Sequence, residues 1–100
     1  MAIKLNFAEL IPGRPQKVSV GEKEVCVVRI ADEVFAVADT CSHADASLSE
    51  GEVSGTKIEC WLHGAEFDLR TGEALTLPAN IPAKTYPVKI VNDVVEIQVN

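Results

Sequence analysis

The apolar positions of this chain fall in short runs separated by turn residues, and nowhere do they recur every three or four places over the length of a helix. β-Branched residues dominate those runs, which favours strands. Residues 2–7 read as a first strand, and Ala8, Glu9 and Leu10 form a single helical turn before Pro12, Gly13 and Pro15 stop it. Further strands are expected at 16–20, 24–30 and 34–38, giving an antiparallel meander with turns at Gly21-Glu22 and 31–33. After Asp39 the pieces shorten. Loops are expected at 39–47 and 61–65, turns at 49–52 and 54–56, and a brief strand at 57–59. A hairpin should pair 66–68 with 73–75, residues 77–83 hold too much proline for a regular element, and a last hairpin joins 86–91 to 94–99 across Asn92-Asp93. No segment repeats another. The pattern predicts an all-β, antiparallel single domain in which residues 40–83 form a smaller lobe inserted into a base built from 1–39 and 84–100.

Composition narrows the class. One hundred residues, 47% apolar and 24% charged, suit one globular domain with a modest core. The apolar runs are far shorter than the roughly 20 residues that cross a bilayer. The opening residues resemble neither a signal nor a transit peptide, so a soluble cytoplasmic protein is expected. The formal net charge is −6, and the nine basic residues never cluster. This argues against nucleic acid or an anionic membrane as partner, whereas an acidic surface suits a basic docking face on another protein.

The soft ligands change the picture most. The chain has only two histidines and three cysteines, and four of these five form two matched pairs: Cys41 with His43, then Cys60 with His63. Three cysteines cannot all pair as disulfides, and the company of histidine favours metal. Ligands at i and i+2 in one loop, and at i and i+3 in another, let each loop turn two side chains toward one point. Such a set suits one tetrahedral zinc, or a two-iron cluster in which histidines replace thiolates on one iron. Zinc sites usually group their cysteines in one knuckle, so the mixed loops favour the cluster. Cys26 lies inside an apolar strand and reads as a small buried hydrophobe.

Cys41-x-His43, sixteen residues, then Cys60-x-x-His63-Gly64 resembles the signature of Rieske [2Fe–2S] proteins, in particular the stand-alone Rieske-type ferredoxins of bacterial aromatic-ring oxygenase systems. The resemblance continues through residues 63–73, Pro78-Ala79, Leu10-Ile11-Pro12-Gly13 and Tyr86-Pro87-Val88-Lys89, so it spans nearly the whole chain. It implies a β-sandwich base carrying a cluster-binding lobe. It further implies one [2Fe–2S] cluster per chain, with Cys41 and Cys60 on the inner iron, His43 and His63 on the outer one, Gly64 allowing close approach and the loop at 78–82 covering the cluster.

Departures from the wider family also carry meaning. Rieske proteins of respiratory complexes resemble this chain but have a disulfide where it has Ala46 and Leu62, and serine and tyrosine hydroxyls where it has Ala65 and Phe67. Missing hydroxyls remove hydrogen bonds that stabilise a reduced cluster, so the resemblance implies a potential low in the Rieske range, roughly −150 to 0 mV. Trp61 stands where the family commonly has proline and is expected to pack into the core.

The function implied is one-electron transfer from a flavoprotein reductase to a terminal ring-hydroxylating oxygenase, by a monomer that is not itself an enzyme. Catalysis within the chain would need a separate mononuclear iron held by two further histidines and a carboxylate, and both histidines are committed. A Cys-His hydrolase dyad leaves one pair unexplained. Two alternatives remain: a Rieske-like small subunit of a reductase such as assimilatory nitrite reductase, and a structural zinc module.

Overall fold

The computed structural model describes residues 2–40, 47–61, 64–75 and 82–99. Among the described residues nine strands run in order: β1 Ala2–Asn6, β2 Gln16–Val20, β3 Lys23–Ile30, β4 Glu33–Ala38, β5 Glu52–Ser54, β6 Lys57–Glu59, β7 Glu66–Asp68, β8 Val88–Val91 and β9 Val94–Gln98. The only helical pieces among the described residues are single 3-10 turns at Phe7–Glu9 and Leu48–Glu50. None is long and apolar enough to cross a membrane. All strand pairs are antiparallel and form three sheets, ordered β1-β9-β8, β2-β3-β4 and β5-β6-β7.

The middle sheet explains the longest apolar run. Val25, Cys26, Val27 and Val28 of β3 are all fully buried, as expected for a strand covered on both faces. Val25 and Val27 join Val34 and Ala36 of β4 against Ile3, Val95 and Ile97 of the β1-β9-β8 sheet. Cys26, Val28 and Val37 point the other way, into a second core with Leu48, Ile58, Cys60, Phe67 and Leu69. The strand period of two thus assigns alternate residues of one segment to two cores.

Two turns fix the register as their sequences require. Gly21 takes φ +59° in the two-residue link from β2 to β3, and Asn92 and Asp93 take φ +49° and +65° between β8 and β9. Positive φ at both central positions marks the hairpin turn whose twist matches its strands.

The structure revises several expectations in detail. The meander of β2, β3 and β4 is as expected, and the sheet β1-β9-β8 adds that β1 pairs with β9, so the two chain ends share a sheet. Residues 52–54 form a strand rather than belonging to turns, because Val53 opposite Ile58 supplies the third inward position of the small sheet. The outer arm of the hairpin at 73–75 forms no regular strand, but it pairs with 66–68 as expected through the Phe67–Ala74 bridge and the hydrogen bonds from Asp68 N–H to Glu73 O at 2.9 Å and from Leu75 N–H to Glu66 O at 2.8 Å. The last hairpin starts later, at Val88. Thr85 instead bridges Val37, and Tyr86 N–H donates to Ala36 O at 2.9 Å, which sews this segment to the edge of β4.

Candidate metal centre

Three connecting segments adjoin the small sheet, the first running to it from β4, and backbone hydrogen bonds hold the described ends of each. The first contains Cys41 and His43. Thr40 bridges Ser47 across its base, and Leu48 N–H donates to Asp39 O at 2.6 Å. The second contains His63. Its ends meet where Cys60 N–H donates to Ala65 O at 2.6 Å and Gly64 N–H to Cys60 O at 3.0 Å. The third, with Pro78, is held at one end by Leu75 N–H donating to Glu66 O at 2.8 Å and at the other by Ala83 N–H donating to Gly72 O at 2.7 Å.

Of the four ligand residues expected from the sequence, Cys60 lies within the described part. Cys41, His43 and His63 lie outside it, as do Ala46, Leu62 and Pro78. Cys60 is fully buried and belongs to the same core as Ile58, Ala65 and Leu48. The first loop therefore springs from the core that holds the base of the second. The donor set fits a [2Fe–2S] cluster: two thiolates and two imidazoles are divided evenly between loops whose bases share one rigid support. Gly64 serves that support directly, since its φ of +72° closes the turn back onto Cys60 and would strain any side chain.

Asp39 was read only as the start of the first loop, but it is the one buried charged residue among the described residues. Its Oδ1 accepts from Ser49 N–H at 2.9 Å while its backbone accepts from Leu48 and donates to Glu24 O at 3.0 Å. The residue clamps both ends of the first loop to β3. A lone acid directly after an apolar strand and two places before a cysteine was its sequence signal. Asp39→Ala removes the side-chain acceptor and orphans a backbone donor. A loss of about 1–3 kcal/mol is expected in denaturant unfolding, with iron retention at elevated temperature reduced in parallel.

Gly51 was passed over as a turn residue. A Cβ there would run into the carbonyl of Glu59, next to Cys60, so glycine lets the segment after the first loop lie against the strand that leads to the second.

Cys26 is buried, and burial first, then the negative charge of Asp39, pushes its thiol from 9.0 up to about 12. A thiol held protonated to that pH is a poor ligand and a poor nucleophile. Because the folded value lies above the unfolded one, its contribution to stability is fully present below pH 9 and is lost as the pH rises toward 12. Cys26→Ala is expected to keep the metal centre and to flatten that alkaline decline; loss of the centre would make Cys26 a ligand.

Trp61 corrects an expectation. It is 52% exposed rather than packed in the core, because burial alternates along β6 and beyond: Ile58 and Cys60 point inward, Glu59 and Trp61 outward.

A family model described as the Rieske [2Fe-2S] domain matches residues 3–87. The biphenyl 2,3-dioxygenase ferredoxin component of Rhodococcus jostii (strain RHA1) is 42% identical over 88 residues, covering 88% of this chain and 82% of that protein. Among solved structures, the ferredoxin of carbazole 1,9a-dioxygenase from Nocardioides aromaticivorans IC177 superposes with a TM-score of 0.92 at 35% identity, covering 96% of this chain and 95% of that one. A ferredoxin chain from a complex of reduced oxygenase and oxidized ferredoxin in carbazole 1,9a-dioxygenase gives 0.91 at 34% identity, covering 96% of this chain and 100% of that one.

Proposed function

Because the chain belongs to the Rieske [2Fe–2S] family, we propose that Cys41, His43, Cys60 and His63 hold its one cluster, and that the protein carries single electrons from a flavoprotein reductase to the terminal oxygenase of a ring-hydroxylating dioxygenase system. The observation that carries this reading is the match over 88–96% of the chain to ferredoxins of dioxygenase systems at 34–42% identity. Residues 40–83 act as the cluster-binding lobe, and the protein works as a cytoplasmic monomer.

When bound, the cluster supplies reversible one-electron chemistry. With two thiolates and two neutral imidazoles the oxidised centre would be neutral and the reduced centre would carry one negative charge, so only the reduced state would bear a desolvation cost, that of a single charge. The protein's contribution is to hold the ligands still. Asp39, the Thr40–Ser47 bridge and the Cys60–Ala65 hydrogen bond tie the loop bases to a packed core, the support from which the proposed ligands would be presented.

Ala65 and Phe67 are both buried and offer no hydroxyl. A redox titration should accordingly give a midpoint in the lower Rieske range, roughly −150 to 0 mV; a clearly positive midpoint would contradict the account of these two positions.

The carrier reading is tested by anaerobic mixing. Reduced protein should deliver one electron per chain to the oxidised terminal oxygenase of a biphenyl or carbazole dioxygenase system. Stoichiometric co-purification with a large reductase chain would instead favour a reductase subunit, and hydroxylation of an aromatic compound by the protein alone would overturn the reading.

A further inference from the structure

Asp39 is the one charged residue buried among the described residues, at 1% exposure. Among those residues its side chain accepts from a single donor, Ser49 N–H at 2.9 Å. An asparagine oxygen could accept the same bond, and burying a neutral amide costs far less than burying a carboxylate. No cation compensates the charge among the described residues, since the two ion pairs that form are Lys17 with Glu24 and Arg70 with Glu33. Holding the loop explains the acceptor at this position but not its charge.

The charge lies where the uptake of an electron would feel it. Cys41 follows two positions later, so covalent geometry alone keeps the two Cα atoms within about 7 Å of each other. On the other side, Leu48 N–H donates to Asp39 O, and Leu48 packs in the core that holds Cys26 and Cys60. The field of the carboxylate reaches into that core, where it adds to the rise of the Cys26 thiol. Leu48, Cys26 and Cys60 are all fully buried, so water and salt screen the field little.

We propose that Asp39 tunes the centre assigned to Cys41, His43, Cys60 and His63, its buried negative charge holding the reduction potential down. The proposal rests on that ligand assignment. Uptake of one electron from a reductant such as dithionite turns one ferric ion ferrous and makes the centre more negative by one charge, with no bond or proton moved. A fixed negative neighbour opposes this change. At about 10 Å in the effective dielectric of a protein, one unit charge displaces a one-electron equilibrium by about tenfold. The effect adds to that of Ala65 and Phe67, which withhold hydrogen bonds from the reduced centre, whereas Asp39 repels the added electron.

Holoprotein is titrated with dithionite in the presence of redox mediators, and the midpoint, the visible spectrum and the melting temperature are read for each variant. Asp39→Asn keeps the volume and the acceptor for Ser49 N–H but removes the charge. It should favour the reduced form about tenfold at a given potential, a rise of about 59 mV for one electron. The rise should persist from an ionic strength of about 10 mM to about 1 M, because the charge is buried. Asp39→Ala should raise the midpoint equally while also lowering the melting temperature, which Asp39→Asn leaves near that of wild type. Glu24→Gln, which removes a half-exposed charge from the adjoining strand, should shift the midpoint far less. A midpoint raised in Asp39→Ala alone would trace the effect to loop position and overturn the tuning role. An unchanged midpoint in Asp39→Asn, or no cluster in that variant, would also overturn it while leaving the ligand assignment intact. A wild-type protein without a [2Fe–2S] spectrum would overturn the ligand assignment and the tuning role with it.

Discussion

Cys60→Ser is expected to yield a protein without [2Fe–2S] absorption and with stability lowered by at least about 2 kcal/mol, or roughly 8–16 °C in Tm for a chain of this size. The substitution is nearly isosteric. The backbone hydrogen bonds at the base of the loop, Cys60 N–H to Ala65 O and Gly64 N–H to Cys60 O, remain available to serine. Any large effect therefore comes from the lost thiolate rather than from lost packing. Iron content, the visible spectrum and the melting curve are measured together. Cys26→Ala, which alters a thiol in the same buried core, is the matched comparison and should retain a full complement of iron. A normal spectrum in Cys60→Ser would remove Cys60 from the ligand set.

Phe67→Ala should cost about 3–5 kcal/mol, a shift of at least about 12 °C in Tm. Phe67 is 1% exposed and is the largest fully buried side chain of the core that also holds Cys60, Leu48 and Ile58. It sits directly opposite Ile58 in the small sheet and is bridged to Ala74 beyond. Truncation leaves a cavity beneath the bases of the first two loops, where little backbone is free to collapse into it. With total stabilities of about 5–15 kcal/mol typical of such domains, the variant is expected to be marginal at 37 °C and to release iron on mild heating. Phe67→Leu, which keeps most of the volume, should cost about 1–1.5 kcal/mol. Equal melting temperatures for Phe67→Ala and wild type would show that this core does not support the site.

Much of this architecture was legible because the signals were local. Strand periodicity placed most of the strands, and the Gly21-Glu22 and Asn92-Asp93 turns set two registers by their backbone requirements alone. The resemblance carried by Cys41-x-His43 and Cys60-x-x-His63-Gly64 pointed to the family that the chain belongs to, and Cys41, His43, Cys60 and His63 are proposed as its cluster ligands. What stayed hidden depended on distant parts of the chain. That β1 pairs with β9 is a contact between termini, decided by which sheet completes the second face of β3. Val53 could join a strand only because Ile58 lies opposite it. Asp39 looked like a loop residue because burial of its carboxylate depends on Ser49, ten residues away. Trp61 was expected in the core on account of its size, yet the alternation set by Ile58 and Cys60 sends it outward.

The central claim is a two-iron cluster held by two thiolates and two imidazoles. Pulsed EPR of the reduced holoprotein, with iron and acid-labile sulfide determined on the same sample, tests it most directly. Two irons and two sulfides per chain, together with hyperfine couplings from two directly bound imidazole nitrogens, are the predicted result. Zinc without sulfide, or a cluster showing no directly bound nitrogen, would contradict it.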